Sequence, residues 1–563
     1  FYAVPRRSTP FPRSTLLHEC NVSQRGDSSP NQTVAFVDGR VNLAVAATAA
    51  RPAVFTEGHH FMLTAAAMQI ALAMSALLQS PGSSQSPGSS QSPGSSQAAG
   101  ADRAAHVQAS LHQATPVRAT PASDTLRAPP VLQNLSREPG RVEVELTASP
   151  VRLSLIEGAP TEAWAYNGSV PGPTLEVREG DHVVIHFRNE LPEETTVHWH
   201  GLHVPWVADG SPFHPVAAGA ETVFEFTVPR GSAGTYWYHP HPHHRTRYQV
   251  SKGLYGALIV RAADDPLPDV AEKLIILSDG RFLPDGSIDM PPRSTPQGRI
   301  DSENGWEGDV LFVNGQRAPT LSLRAGEVQH WRVINASAAR VYRLAIPGHR
   351  LLHVGSDGGL FEHPVETDEV LLASSERVEL LVRATGAPGD VTVLQDLPYD
   401  RYIPQTRPAD WDRTRDLLTI RYTDDPALEP RALPATLRPI ARLDTTAVAA
   451  VRTVAMTQGF LNGRMMDMQR IDERSTVGAT EIWRLENLVG MDHPFHLHGF
   501  QFQVLDRNGV PVDQPHWDDT VNVPKHETVR FIVRYDDYAG KWMFHCHILD
   551  HEENGMMGIL EVR

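Results

Sequence analysis

Cysteine is nearly absent from this chain of 563 residues: Cys20 lies in a polar N-terminal stretch and Cys546 near the C-terminus. A structural disulfide between them is not expected, so cysteine pairing says nothing about compartment. Positive charge is also short. Lys and Arg total 50 against 66 Asp and Glu, a formal net charge of −16, and this excludes a nucleic-acid partner, which needs a basic surface. Methionine is sparse, at 12. No long amphipathic helical pattern is found. Beyond Leu78 no segment is apolar for long enough to cross a bilayer, and no stable membrane insertion is expected. What the chain has in excess is histidine, at 27, the commonest metal ligand.

The first 140 residues have little that could build a core. The first methionine is Met62, and residues 1–61 read as a disordered or non-native leader. "MLTAAAMQIALAMSALL" (62–78) has the length of a signal-peptide core, although a basic flank is missing. "QSPGSSQSPGSSQSPGSS" (79–96) repeats a six-residue unit, and its Ser, Gly and Pro make a flexible tether. Residues 62–140 therefore read as an export signal and linker, and the protein as exported, to the periplasm or outside the cell.

From Arg141 the pattern changes to short alternating runs: "RVEVELTAS", "HVVIHFRN", "TVFEFTV", "ALIVRA", "RVELLVRA" and "TVRFIVRY" all read as strands. A long period overlies them. Segments opening Asn-Gly at Asn167, Asn314 and Asn462 run through two strands and close on Asn189, Asn335 and Asn487; by subtraction the openings lie 147 and 148 residues apart. An all-β chain of three tandem β-sandwich domains follows, at 141–263, 264–436 and 437–563. Pro-rich text at Asp264–Pro268 and Asp424–Pro434 supplies the joints.

Four His-x-His pairs fall in this region: His198/His200, His239/His241, His496/His498 and His545/His547. About one is expected by chance, so a single pair carries little weight. Two lie in the first repeat, two in the third and none in the second. Strand alternation sets both histidines of a pair on one face, and eight imidazoles converge if the first and third domains meet. His203, His214, His243, His244, His516 and His526 read as ordinary hydrogen-bonded residues. Cys546, between His545 and His547, points the other way. With His493, His551 and Met556 it supplies two imidazoles, a thiolate and a weak thioether, the ligand set of a blue-copper electron-transfer site and a poor one for zinc.

These motifs, "HWHGLH", "WYHPHPH", "HPFHLHGF" and "HCHILDHEENGMM", resemble those of three-domain multicopper oxidases of the bacterial laccase kind, over about residues 141–563. The resemblance implies three cupredoxin-like Greek-key sandwiches and four copper ions. His198 and His496 would bind a type-2 copper. His200, His239, His241, His498, His545 and His547 would hold a type-3 pair, and His493, Cys546, His551 and Met556 a type-1 copper. It also implies that Asp209 and Glu552 serve proton delivery; the alternatives are a turn residue and a solvated acid. The implied activity is one-electron oxidation of phenols or aromatic amines coupled to four-electron reduction of dioxygen to water. The partners would be a small-molecule reductant and dioxygen. Oxidation of cuprous or ferrous ions in metal tolerance is the alternative, with Met465, Met466, Met468 and Met491 as a thioether landing site, unless these fill a core. A copper-binding or structural protein is the non-enzyme alternative. Oligomeric state is not written in the sequence.

Overall fold

The computed structural model describes residues 125–267, 270–429 and 431–563. The leader, the apolar run 62–78 and the hexapeptide tract lie outside the described residues. Within them, alternation does what the sequence suggests. In Arg141–Leu153, Val142, Val144, Leu146 and Ala148 are buried while Glu145 faces out.

The strands form six sheets among the described residues, in three pairs built to one plan. In the first sheet of each pair the leading strand lies parallel to the strand that ends the Asn-Gly repeat: Arg141–Leu153 with His182–Asn189, Ala271–Gly280 with Val328–Asn335, and Ala450–Thr457 with Thr480–Asn487. In the second sheet a strand early in the unit lies parallel to its last: Gly172–Arg178 with Gly256–Arg261, Thr320–Leu323 with Arg415–Tyr422, and Glu473–Ser475 with Met557–Val562. Each pair encloses its own apolar core, centred on Trp199, Trp331 and Trp483 respectively.

The asparagines of the repeat are structural pins. Asn167, Asn314 and Asn462 take positive φ (48, 51 and 52°), a conformation asparagine tolerates, and each is followed by a glycine that does too. Their Oδ1 atoms accept from Thr147, Ile276 and Ala455 on the leading strands. The closing residues, Asn189, Asn335 and Asn487, are buried, and each Nδ2 donates to two or more carbonyls of later loops or strand ends. Such fully satisfied buried amides fix where the chain leaves the sheet.

Helix is confined to Thr246–Ser251, Pro296–Asn304 and Leu549–Glu553 among the described residues. None is long and apolar enough to cross a membrane. One expectation is corrected. The stretch before residue 141 is not detached from the core throughout: Leu126 packs on the second core and Leu132 on the first. Residues 125–138 form a strap whose backbone bonds reach Thr320, Thr174 and Glu143.

Candidate metal centres

The histidine pairs meet because strand pairing sets them opposite one another. His198 lies across from His239, in the pairing of His198–His200 with Gly234–His239. His496 lies across from His545, in the pairing of His493–Leu497 with Gly540–Cys546. All eight paired histidines are at most 1% exposed. They assemble into groups whose ligand atoms lie within 4.8 Å of one another: His198/His200/His496, His200/His239/His547 and His241/His498/His545. None of the six histidines read as ordinary belongs to such a group.

Hydrogen bonds decide which ring nitrogen is left over. His198 Nδ1 donates to the Asp209 carbonyl and His496 Nδ1 to the Asp519 carbonyl, both at 2.8 Å. Their Nε2 atoms, like that of His547, have no partner. His545 Nδ1 donates to the Cys546 carbonyl at 3.0 Å, and His498 Nδ1 to Asp209 Oδ2 at 2.9 Å. Their Nε2 lone pairs therefore face each other at 3.0 Å, with His241 Nε2 3.2 Å from that of His545. His200 is turned the other way: Nε2 donates to Asp519 Oδ1 at 3.0 Å, and Nδ1 faces His239 Nε2 at 3.4 Å.

Buried lone pairs that converge without a donor are costly, about 1–3 kcal/mol for each unsatisfied group, and cations among them remove that cost. Burial, followed by the neighbouring imidazoles, holds the rings neutral: well below the ordinary range for His198, His200, His241, His498, His545 and His547. Burial likewise lowers His239 to about 3. Neutral imidazole is the form that binds metal. The donor set fits a metal cluster.

Asp209 and Glu552 line this cluster, each 1% exposed. Besides the bond to His498, Asp209 lies 3.5 Å from His198 Nδ1. Glu552 lies 3.4 Å from His241 Nδ1 and 3.6 Å from His545 Nδ1. Burial pushes both carboxyls up. Asp209 does sit on a bend, but neither residue is the solvated surface acid of the alternative reading.

The other face of the same strand carries a second group. Cys546 Sγ is 3.5 Å from His493 Nδ1 and 3.6 Å from His551 Nδ1. His551 Nε2 donates to the Glu303 carbonyl at 3.0 Å, which leaves Nδ1 toward the sulfur. Glu303 belongs to Pro296–Asn304, a helix capped by Thr295, whose hydroxyl accepts from Gly298 at 3.0 Å. Met556 is fully buried in the same apolar cluster as Cys546, and its carbonyl accepts from the Cys546 amide at 3.2 Å. Burial pushes the thiol up to about 12, so a metal ion must displace its proton. Met491 fills the third core, whereas Met465 is 50% exposed and Met466 N donates to the Gly555 carbonyl at 2.8 Å, beside Met556.

Sequence reasoning missed Asp519, which accepts from His200 and His496, and Arg377 and Asp357, which hold Asp519 and its neighbour Thr520 from the second sheet pair. Their only signal is charge set within strand-like text.

Multicopper oxidase family models match residues 147–265, 235–424 and 437–563. A multicopper oxidase of Campylobacter jejuni, described as a metallo-oxidase, is 34% identical in its solved structure, covering 78% of this chain and 96% of that one with a TM-score of 0.72. The solved laccase of Pediococcus acidilactici is 33% identical over 78% of this chain and 93% of that one, with a TM-score of 0.69. The cell division protein FtsP of Proteus mirabilis is 30% identical over 79% of this chain and 94% of that protein. The paired sheets are thus cupredoxin-like, and copper is the metal that this kinship implies. The chain belongs to the multicopper oxidase family and is an oxidoreductase.

Proposed function

We propose that this oxidoreductase couples one-electron oxidation of phenols or aromatic amines to four-electron reduction of dioxygen to water, using four copper ions. One observation carries the reading: a single strand end, His545-Cys546-His547, joins a buried Cys/His/His group to a buried cluster of histidines. His493, Cys546, His551 and Met556 would hold a type-1 copper, the thioether acting as a weak axial ligand. His198 and His496 would hold a type-2 copper, and His200, His239, His241, His498, His545 and His547 a type-3 pair. Bound copper would supply single-electron transfer on the Cys546 side and dioxygen reduction among the histidines.

The chain's own residues do the rest. The backbone of residues 545–547 gives the shortest covalent route between the two centres. Asp209 and Glu552, buried against His498, His241 and His545, are carboxyls placed to pass a proton toward the cluster they touch. The packing around them excludes bulk water.

A cleft of about 200 Å³ lies beside the Cys546 side, with Tyr399, Tyr402 and Trp411 among its walls and Gly305 at its edge. Gly305 abuts Ile548, two residues from Cys546. Tyr399 donates to Asp492 Oδ2 at 2.6 Å, and Asp492 precedes His493. The three rings would pack against a small aromatic reductant, beside walls that are otherwise largely charged, Glu307, Arg340 and Arg401 among them, and no methionine lines the cleft. The exposed Met465, next to the loop of Met556, favours the second reading, oxidation of cuprous or ferrous ions. Turnover of a dimethoxyphenol and of cuprous ion on one copper-loaded preparation decides between them: phenol oxidation should dominate, and dominance of cuprous ion would overturn the first reading. Oxygen uptake with neither would make the chain a copper-binding or structural protein. Export remains part of the proposal, tested by cell fractionation, because it rests on residues 62–78 alone.

A further inference from the structure

We propose that Arg377, from the sheet pair that carries none of the histidine pairs, is a positioning residue for the histidine cluster: it holds Asp519 where that residue orients His200 and His496. The inference rests on the copper reading above.

Arg377 and Asp519 are at most 1% exposed. Arg377 Nη1 donates to Asp519 Oδ1 at 2.8 Å, and Nη2 to Asp519 Oδ2. The remaining donors go to the carbonyls of Thr235 at 3.0 Å, Ser375 at 3.1 Å and Asp357 at 3.2 Å. Every N–H of the guanidinium fork is thereby used. Thr235 lies in the first sheet pair, Ser375 and Asp357 in the second, and Asp519 at the edge of the third. Asp357 seconds the grip. Its Oδ1 accepts from Arg377 N at 2.8 Å, and its Oδ2 from Thr520 N at 3.0 Å and Asp519 N at 3.3 Å.

What is held is the residue that selects two ligand atoms. Asp519 Oδ1 accepts from His200 Nε2 and so turns Nδ1 of that ring inward. The Asp519 carbonyl accepts from His496 Nδ1 and so turns Nε2 inward. Groups behind a ligand fix its tautomer and ring angle and tune its metal affinity. A second observation agrees. Gly201, between His200 and Leu202, has φ of +85°, and a Cβ there would collide with Asp519 Oδ2 and Arg377 Nη2. The glycine of "HWHG" makes room for this ion pair.

A buried ion pair could instead serve only to staple the three sheet pairs together, and the two roles differ in what they move. None of His493, Cys546, His551 or Met556 is among the hydrogen-bond partners of Arg377. Stapling therefore predicts that all copper signals fall together, and positioning that only those of the cluster change. The experiment uses the full chain, copper-loaded, as wild type, Arg377→Lys and Arg377→Met. It reads copper content, the blue absorption band and the type-2 electron paramagnetic resonance signal. Arg377→Met should keep the blue band and bind type-2 copper on the order of 10- to 100-fold more weakly, with altered hyperfine splitting. Arg377→Lys should fall between, since a point charge cannot make both fork contacts. If Arg377→Met does not fold, Arg377→Lys is judged by the same criteria. Unchanged type-2 signal and copper content in the folded variants, or loss of the blue band in step with type-2 copper, would overturn the proposal. A wild type with neither signal would show instead that the copper reading itself has failed.

Discussion

His496 and His545 stand directly opposite each other across paired strands, and one position along, Phe495 stands opposite Cys546. Because side chains alternate, this register sends the two histidines to one side and the cysteine to the other. A slip of one residue would exchange the faces and destroy both groups at once. Asn487 pins this register from below: Nδ2 donates to the Met491 carbonyl at 2.7 Å, just before His493, and to Val523 on the neighbouring strand at 2.9 Å.

Cys546→Ser should abolish the intense blue charge-transfer band and substrate oxidation while leaving the fold unchanged. The thiolate is the source of that colour, and serine occupies nearly the same volume. Visible absorption of the copper-loaded protein and circular dichroism check it. A serine variant that stays blue would remove Cys546 from the type-1 site.

His496→Ala should separate the two centres. Its Nε2 is unpartnered and aimed at His198 and His200, so type-2 copper should be lost and oxygen uptake should stop. The blue band should survive and still bleach on adding a reductant. Loss of colour in this variant would mean that the centres are not independent.

Glu379 should shape the acid limb of stability. It is fully buried, accepting from Arg332 at 2.6 Å, Thr235 at 2.7 Å and His330 at 2.8 Å. Burial works upward on its carboxyl, but the charge of Arg332 and the bond from His330 bring it down to about 2. A depressed carboxyl stabilises the fold above its unfolded value and loses that contribution as pH falls to its folded one. The stabilisation is thus full above about pH 4.5 and fades toward pH 2, and at 1.36 kcal/mol per unit it amounts to about 3 kcal/mol. Glu379→Gln should be less stable by that order at pH 7, with the gap to wild type closing toward pH 2. Urea unfolding across that range checks it, and a pH-independent gap would contradict the assignment.

The buried histidine and Cys546 groups were legible because their geometry is local. His-x-His on a strand needs only alternation, and the Asn-Gly openings announce a turn that only a few residues accept. The supports were not. Asp519 sits in "WDDTV" and Arg377 in "SERVELL", where either reads as a charge at a strand end. Both are buried only because three sheet pairs meet there, and tertiary contact is invisible to periodicity. Glu303 gave no signal at all, since it acts through its carbonyl, which every residue has. The strap 125–138 was largely missed for the opposite reason: its Pro-rich, polar text suggests a linker, while two leucines, the Asn134 amide and its backbone tie it down.

That strap yields the last prediction. Leu126 N donates to the Thr320 carbonyl at 2.8 Å and Arg127 N to Gln316 Oε1 at 2.7 Å, both in the second sheet pair. Thr174 N donates to the Pro130 carbonyl at 2.7 Å, and Leu132 N to the Thr174 carbonyl at 2.9 Å, in the first. Each backbone bond contributes about 0.5–1.5 kcal/mol, and each partly buried leucine about 1 kcal/mol. A chain starting at Thr125 keeps all of these and should melt with the full-length protein. One starting at Val131 loses the grip on the second pair and should melt lower. One starting at Arg141 loses both and should melt about 5 °C or more below the full chain. No strap residue touches a histidine of the cluster, so all three should keep full copper content and specific activity. If the shortest chain melted with the longest, the strap would be ornament; if it lost copper, the strap would hold the first and second sheet pairs in the alignment through which Thr235 and Arg377 reach Asp519.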